Sequence, residues 1–286
     1  EQTASQLREL APDHETIALY DVVQELRRDD FDAAKAVLDE FLSKYRATDK
    51  LKTLLFSINE ETDNYEDNIT FFSANTNDGS DLLNERLLLL AYLNSAQTGK
   101  AESLITIYGE KKKDSFYFDI LAKLQLSKNE ISDAASTYYM WSQSPFRSEA
   151  SFIKLINVLD LMGDEKEAFK ESYRAVKVYP TSEALSLLYA HFSYRIDDVK
   201  SLERGVNLLR NANLSNEELP KLGGILLAMQ GKLWEGVNLL EQYYLSNPNA
   251  KSFSEIISLI IDKAGVDASL RYLEKSVSSY PSDMII

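Results

Sequence analysis

The chain has 286 residues, 44% apolar and 27% charged, with only 10 Gly and 6 Pro, which excludes a disordered chain and leaves too few turn residues for an all-β protein. It has no cysteine, so disulfides, thiol catalysis and Cys-ligated zinc are excluded, and its two histidines, His14 and His191, leave little for a metal site. Of the net charge of −14, −10 falls on residues 1–80, and so acidic a chain repels phosphate backbones.

Along the chain, "ASQLRELAPDH" (4–14) reads as the tail of a helix with Pro12 closing it. One pattern then recurs: a turn, a small residue opening a helix, and large apolar residues behind it. It stands at "RRDDFDAAKAVLDEFLSKY" (27–45), "TDNYEDNITFFSAN" (62–75), "AQTGKAESLITIYGE" (96–110) and "SKNEISDAASTYYMWSQSP" (127–145). It returns at "LMGDEKEAFKESYRAVKVYP" (161–180), "DVKSLERGVNLLRNA" (198–212), "MQGKLWEGVNLLEQYYLSNP" (229–248) and "KAGVDASLRYLEKSVSSYP" (263–281). The equivalent residues are Ala34, Asn68, Ala101, Ala134, Ala168, Gly205, Gly236 and Ala268, with spacings of 34, 33, 33, 34, 37, 31 and 32. Eight copies at one period define a repeat protein.

Each unit predicts two helices. Upstream of each anchor lies an apolar stretch of helical period, such as "NERLLLLAYLNSA" (84–96) or "EASFIKLINVLDLMG" (149–163). Ser215 with Glu218 and Ser252 with Glu255 fit capping boxes. Gly163 and Gly231 fall between paired helices, and Pro180, Pro248 and Pro281 follow second helices. The spacing of 37 predicts a stretched turn in the sixth unit. A small anchor lets the second helix approach the first closely.

A helix–turn–helix of about 34 residues with these features resembles the tetratricopeptide repeat. The resemblance is carried by Leu155, Gly163, Ala168, Ala175 and Pro180, and again by Gly224, Gly231, Gly236 and Pro248. It implies an all-α fold, a right-handed superhelical α-solenoid of about eight such repeats over residues 14–281. Residues 1–13 are expected to end a preceding repeat and 282–286 to begin a further element or a truncated end. In that family the first helices line a groove that holds a peptide or protein segment. The register then offers Arg86, Asn94, Asp119, Lys123, Ile153, Asn157, Asp160, Lys221 and Ile225 as groove residues. Lys154 and Asn157 come nearest to the carboxylate clamp of co-chaperone arrays, but the neighbouring first helices do not supply the rest of it.

No catalytic constellation is assembled. "NTNDGSDLLNE" (75–85) places Glu85 as a calcium loop would, yet Ala74, Thr76 and Leu82 stand where ligands are needed, so an inter-repeat loop is the reading. His14 begins a helix between two acids, and His191 lies in the apolar "YAHFSYR"; both read as structural, as do Trp141 and Trp234. "EKKKD" (110–114) is a solvated helix end, and no apolar run approaches the ~20 residues of a membrane span. No signal peptide is recognised, and no cofactor or metal is expected.

The function implied is a non-enzymatic scaffold for protein–protein interaction. By compositional likeness to bacterial envelope arrays of exopolysaccharide export, protein sorting and pilus assembly, it would belong to a larger envelope or secretion assembly, periplasmic or membrane-associated rather than cytoplasmic. The alternative is a recognition or regulatory arm of a larger enzyme such as a glycosyltransferase. Protein or peptide partners are expected, nucleic acid is not, and exposed apolar ends would permit self-association.

Overall fold

The apolar stripes and small anchors resolve, in a computed structural model describing residues 14–74, 81–246 and 250–279, into sixteen α-helices with no strand among the described residues. The first three pairs are α1 (Glu15–Leu26) with α2 (Phe31–Lys44), α3 (Asp49–Glu61) with α4 (Tyr65–Ala74), and α5 (Leu82–Asn94) with α6 (Thr98–Lys111). Then come α7 (Ser115–Ser127), α8 (Ile131–Gln143), and the pairs α9 (Glu149–Leu161) with α10 (Glu165–Val178) and α11 (Glu183–Arg195) with α12 (Val199–Ala212). The last are α13 (Leu219–Met229) with α14 (Leu233–Ser246) and α15 (Ala250–Ala264) with α16 (Val266–Ser279). The helices divide into two compact units between Glu130 and Ile131, in the turn after α7. The expected helix tail at 1–13, the end at 282–286, Pro12, Pro248, Pro281 and most of the 75–85 string lie outside the described residues.

The turn inside each pair is the most regular feature of the chain. Its left-handed residue is Asp29, Asp63, Ala96, Asn129, Gly163, Asp197, Gly231 or Gly265, at steps of 33 or 34. In the first seven turns the next N–H bonds back to the carbonyl five residues earlier, for example Asn64 to Asn59 at 2.7 Å and Asp164 to Leu159 at 3.0 Å. This is the Schellman closure, which satisfies carbonyls that a helix end leaves without partners. The residue supplying that N–H often caps the second helix as well. Asp30, Asp164 and Asp198 accept from the N–H groups of Ala33, Glu167 and Ser201 at 2.9, 3.1 and 3.0 Å.

Ala96 has a Cβ at a φ of 57° and no polar side chain to compensate. Left-handed backbone costs about 1–2 kcal/mol for such a residue, partly offset in glycine by a more flexible unfolded chain. Ala96→Gly is therefore expected to raise stability by about 1 kcal/mol, read as a higher urea midpoint at unchanged slope.

The second helices start at 31, 65, 98, 131, 165, 199, 233 and 266, so their steps never leave 33 or 34. The stretched turn expected in the sixth unit is absent: Ile196–Asp198 is as short as its counterparts. Gly205 is instead the seventh residue of α12, whereas Ala34, Asn68, Ala101, Ala134, Ala168 and Gly236 are fourth in theirs; Leu202 holds that place in α12. Ala268 is third in α16, where Ser269 is fourth and buried. An irregularity does lie in the link 213–218. Ser215 lies in that link and caps nothing, because α13 begins at Leu219 with Pro220 in its first turn. A helix begun at Ser215 would carry Pro220 in its interior, where the ring clashes and a hydrogen bond is lost. Likewise α15 begins at Ala250, which places Ser252 inside its first turn rather than at its cap.

Anchor size has the packing consequence expected of it. Ala34, Ala101, Ala134 and Ala168 are fully buried. Asn68, also fully buried, is too polar to sit there alone: it accepts from Asn59 Nδ2 at 2.9 Å and donates to Phe56 O at 3.3 Å and Glu60 Oε1 at 3.0 Å. The core of the first unit runs through Ala18, Val22, Leu38, Leu51, Leu55 and Ile58, then Phe72 and Leu88, then Leu89, Ile105, Tyr108 and Ile120. In the second unit one cluster joins Leu202, Val206 and Leu209 to Leu222, Leu240, Leu259 and Ile260. Each such side chain contributes about 1.5–3 kcal/mol by leaving water.

Candidate peptide-binding face

Within each unit, neighbouring first helices lie against one another: α3 on α5 and α5 on α7 in the first, α9 on α11 and α13 on α15 in the second. Polar struts one repeat long tie them together. Glu149 Oε2 accepts from Ser182 Oγ at 2.8 Å, and Glu183 accepts from Asn213 Nδ2 at 3.1 Å and from Asn216. Glu15 meets Thr48 and Lys50 in the same manner.

The residues assigned by register divide into those left open to a ligand and those already engaged. On α9, Asn157 and Asp160 are exposed and Ile153 is half-buried, alongside the buried Phe152, Leu155, Ile156 and Leu159. Asp160 pairs with Arg195 of α11, which also holds Glu165 through Nε at 3.0 Å. On α5, Asn94 is exposed and donates to Glu60 of the preceding first helix. On α7, Asp119 and Lys123 pair with each other at 3.2 Å, Lys123 at the surface.

Three assignments need correction. Ile225 is only 7% exposed and belongs to the core, because Gly224 beside it draws α13 onto α14 and turns this stripe inward. Lys221 is held by Glu255 Oε2 of α15 at 2.8 Å. Arg86 is locked by Asp114 Oδ2 at 2.6 Å and Tyr108 Oη at 2.9 Å, with Phe116 facing its guanidinium at 5.1 Å. Helical register placed all three on first helices, but the acids that occupy Lys221 and Arg86 come from the next repeat.

Spacing also did not reveal the polar cluster of the second unit, where His191 on α11 lies within electrostatic reach of Glu218, Lys221 and Glu255. Burial pushes the His191 imidazole below its usual range; Glu218 and Glu255 oppose this while Lys221 and Arg195 add to it. Tyr243 Oη donates to Glu218 Oε1 at 3.1 Å, and burial together with that carboxylate pushes its phenol up to about 12. At neutral pH the cluster is a neutral imidazole and a neutral phenol among paired charges. That set can present hydrogen bonds but holds no activated nucleophile.

His14 is the N-cap of α1, its Nδ1 accepting from Thr16 N at 3.2 Å. Glu85 is committed to Lys111 at 2.5 Å rather than to a cation loop. Trp141 is buried and donates from Nε1 to Phe146 O at 2.9 Å, but Trp234, expected to be structural, is 56% exposed. Among the described residues no group of three or more acids or histidines converges on a metal-sized site, and no helix is long and apolar enough to cross a membrane.

No family model matches the chain, and no curated protein matches it. Among solved structures it is similar to a tetratricopeptide repeat protein from Parabacteroides merdae, at 12% identity over 91% of this chain and 100% of that one, with a TM-score of 0.47. It is similar also to YrrB, described as a TPR protein with an unusual peptide-binding site, at 19% identity over 63% of this chain and 93% of that one, TM-score 0.47. A third is MamA from Desulfovibrio magneticus, at 13% identity over 58% of this chain and 94% of that one, TM-score 0.46. The described residues form an array of helix pairs that repeats every 33 or 34 residues, a fold defined by its own turns and anchors, and the solved structures it is similar to are of TPR proteins.

Proposed function

We propose that the protein is a non-enzymatic scaffold that binds a peptide or protein segment along its first helices, within a larger bacterial envelope or secretion assembly. The observation that supports this most is the strip Ile153, Asn157 and Asp160 of α9, whose amide and carboxylate are exposed beside a half-buried isoleucine. An exposed amide beside an apolar side chain suits an extended segment, whose backbone needs hydrogen-bond partners at regular intervals. The acidic, cysteine-free composition supports the envelope placement.

Immobilised protein should retain a small set of proteins from lysate and membrane fractions of its source after a moderate-salt wash. The Ile153→Glu/Asn157→Lys variant, with an unchanged melting curve, should lose them. A set retained equally by both forms would sink the groove reading.

A further inference from the structure

A second site lies on the second helices, away from the strip just described. Between α14 and α16 a cavity of about 460 Å³ is floored by the buried Val237 and Tyr272 and walled by Trp234, Asn238 and Glu241 on one side and Arg271 and Lys275 on the other.

Trp234 is the second residue of α14. At that position the other second helices carry Asp32, Glu66, Gly99, Ser132, Lys166, Lys200 and Asp267, all charged or small. The repeat thus treats the position as one for solvent, and only α14 places an indole there. An indole buries 150–250 Å² when covered, so leaving it more than half exposed over an apolar floor forgoes a contact that the fold itself does not make. Across the cavity, the exposed Arg271 has no ion pair among the described residues, in a chain where acids outnumber bases 45 to 31. Among the described lining residues, Arg271 and Lys275 stand against Glu241, so the cavity offers basic side chains on an acidic protein.

We propose that this cavity binds an acidic peptide segment, one that lays an apolar or aromatic side chain against Trp234 and gives a neighbouring carboxylate to Arg271. The guanidinium fork matches a carboxylate in two parallel hydrogen bonds, and the indole face takes a flat or aliphatic side chain without regard to its identity. The site is independent of the first-helix strip, so either can fail alone.

The test is selection of short random displayed peptides on the immobilised protein, followed by titration of the winners by anisotropy against native protein and the Arg271→Glu, Trp234→Ala and Asn157→Lys variants. Peptides pairing Asp or Glu with Phe, Leu or Trp should emerge. They should bind Arg271→Glu and Trp234→Ala about tenfold or more weakly, the loss of one charge-assisted contact, and Asn157→Lys unchanged. Both losses sit at exposed positions, so equal melting temperatures check that the fold persists. In the native protein the same peptides should shift Trp234 emission to the blue, with the buried Trp141 contributing a constant background. No enrichment, enrichment of basic peptides, or winners held equally by Arg271→Glu would overturn the proposal.

Discussion

Gly236→Ala is expected to destabilise the second unit by about 3 kcal/mol, toward the upper end of what overpacking costs. The size follows from what the new methyl group would meet. It would fall inside the carbonyl oxygen of Gly224 and 3.0 Å from the amide nitrogen of Ala228, both backbone atoms of α13. A side chain in that place could rotate away, whereas a helix backbone must move as a body. The contact is reciprocal, since a Cβ on Gly224 would lie 2.8 Å from Gly236 O and 2.8 Å from Leu240 Cγ. Moving α13 off α14 would loosen Leu222 and Leu240, which share one buried cluster with residues of four further helices. Gly99→Ala supplies the control. Nothing lies within 4 Å of its would-be methyl group, so only helix propensity acts, and a small gain is expected. Urea melts of the two variants would separate close approach from propensity. A Gly236→Ala midpoint equal to the native one would mean that the helices sit farther apart than described.

Gly236 also shows what a sequence can reveal of such a fold. Anchors, apolar stripes and the period were readable because each is repeated, and repetition turns a weak local preference into a strong one. Glycine marked the turns at Gly163 and Gly231, and a third glycine, Gly265, fills the same place in the last pair. In five further turns the left-handed place is taken by Asp29, Asp63, Asn129 and Asp197, residues equally at home in a helix cap or a loop, and by Ala96, a residue that signals helix. A small residue was a misleading anchor in α12, because Gly205 serves a different close approach: a Cβ there would lie 2.9 Å from Ala190 Cα. The exposure of Asn157 and Asp160 on α9 followed from helical register alone. Arg86 and Lys221 shared that register but not its exposure, because their partners Asp114 and Glu255 arrive from a following repeat. Trp234 was hidden by the opposite difficulty, since an aromatic in an amphipathic helix reads as core until its position is compared across all eight copies.

The cost of losing such a partner is largest at Asp114. Its side chain is nearly buried, and it performs two tasks at once. Oδ1 caps α7 by accepting from Tyr117 N at 3.1 Å, while Oδ2 accepts from Arg86 Nη2 at 2.6 Å and Tyr108 Oη at 3.2 Å and pairs with Lys112 at 3.4 Å. Asp114→Ala leaves the buried Tyr108 hydroxyl without its acceptor and a half-buried guanidinium without its counter-charge. Breaking a buried pair from one side costs 3–5 kcal/mol, and the partial exposure of Arg86 places this case at about 3, to which the lost cap adds about 1. Asp114→Asn keeps an acceptor for Tyr117 and removes the charge, so it should cost roughly half as much. Acid titration distinguishes the charge from the cap. Burial by itself would raise the Asp114 carboxyl, but the Tyr117 N–H, Arg86 and Lys112 outweigh it and hold the group below the ordinary aspartate range. A folded-state value below the unfolded one means that the unfolded chain binds the proton first. The contribution is therefore complete above the unfolded aspartate value of about 4 and is lost as pH falls through the folded one. Urea midpoints measured from neutral pH into acid should fall less steeply for Asp114→Asn than for the native protein. Parallel curves would show that Arg86 is held by its aromatic contacts with Tyr108 and Phe116 and not by this carboxylate.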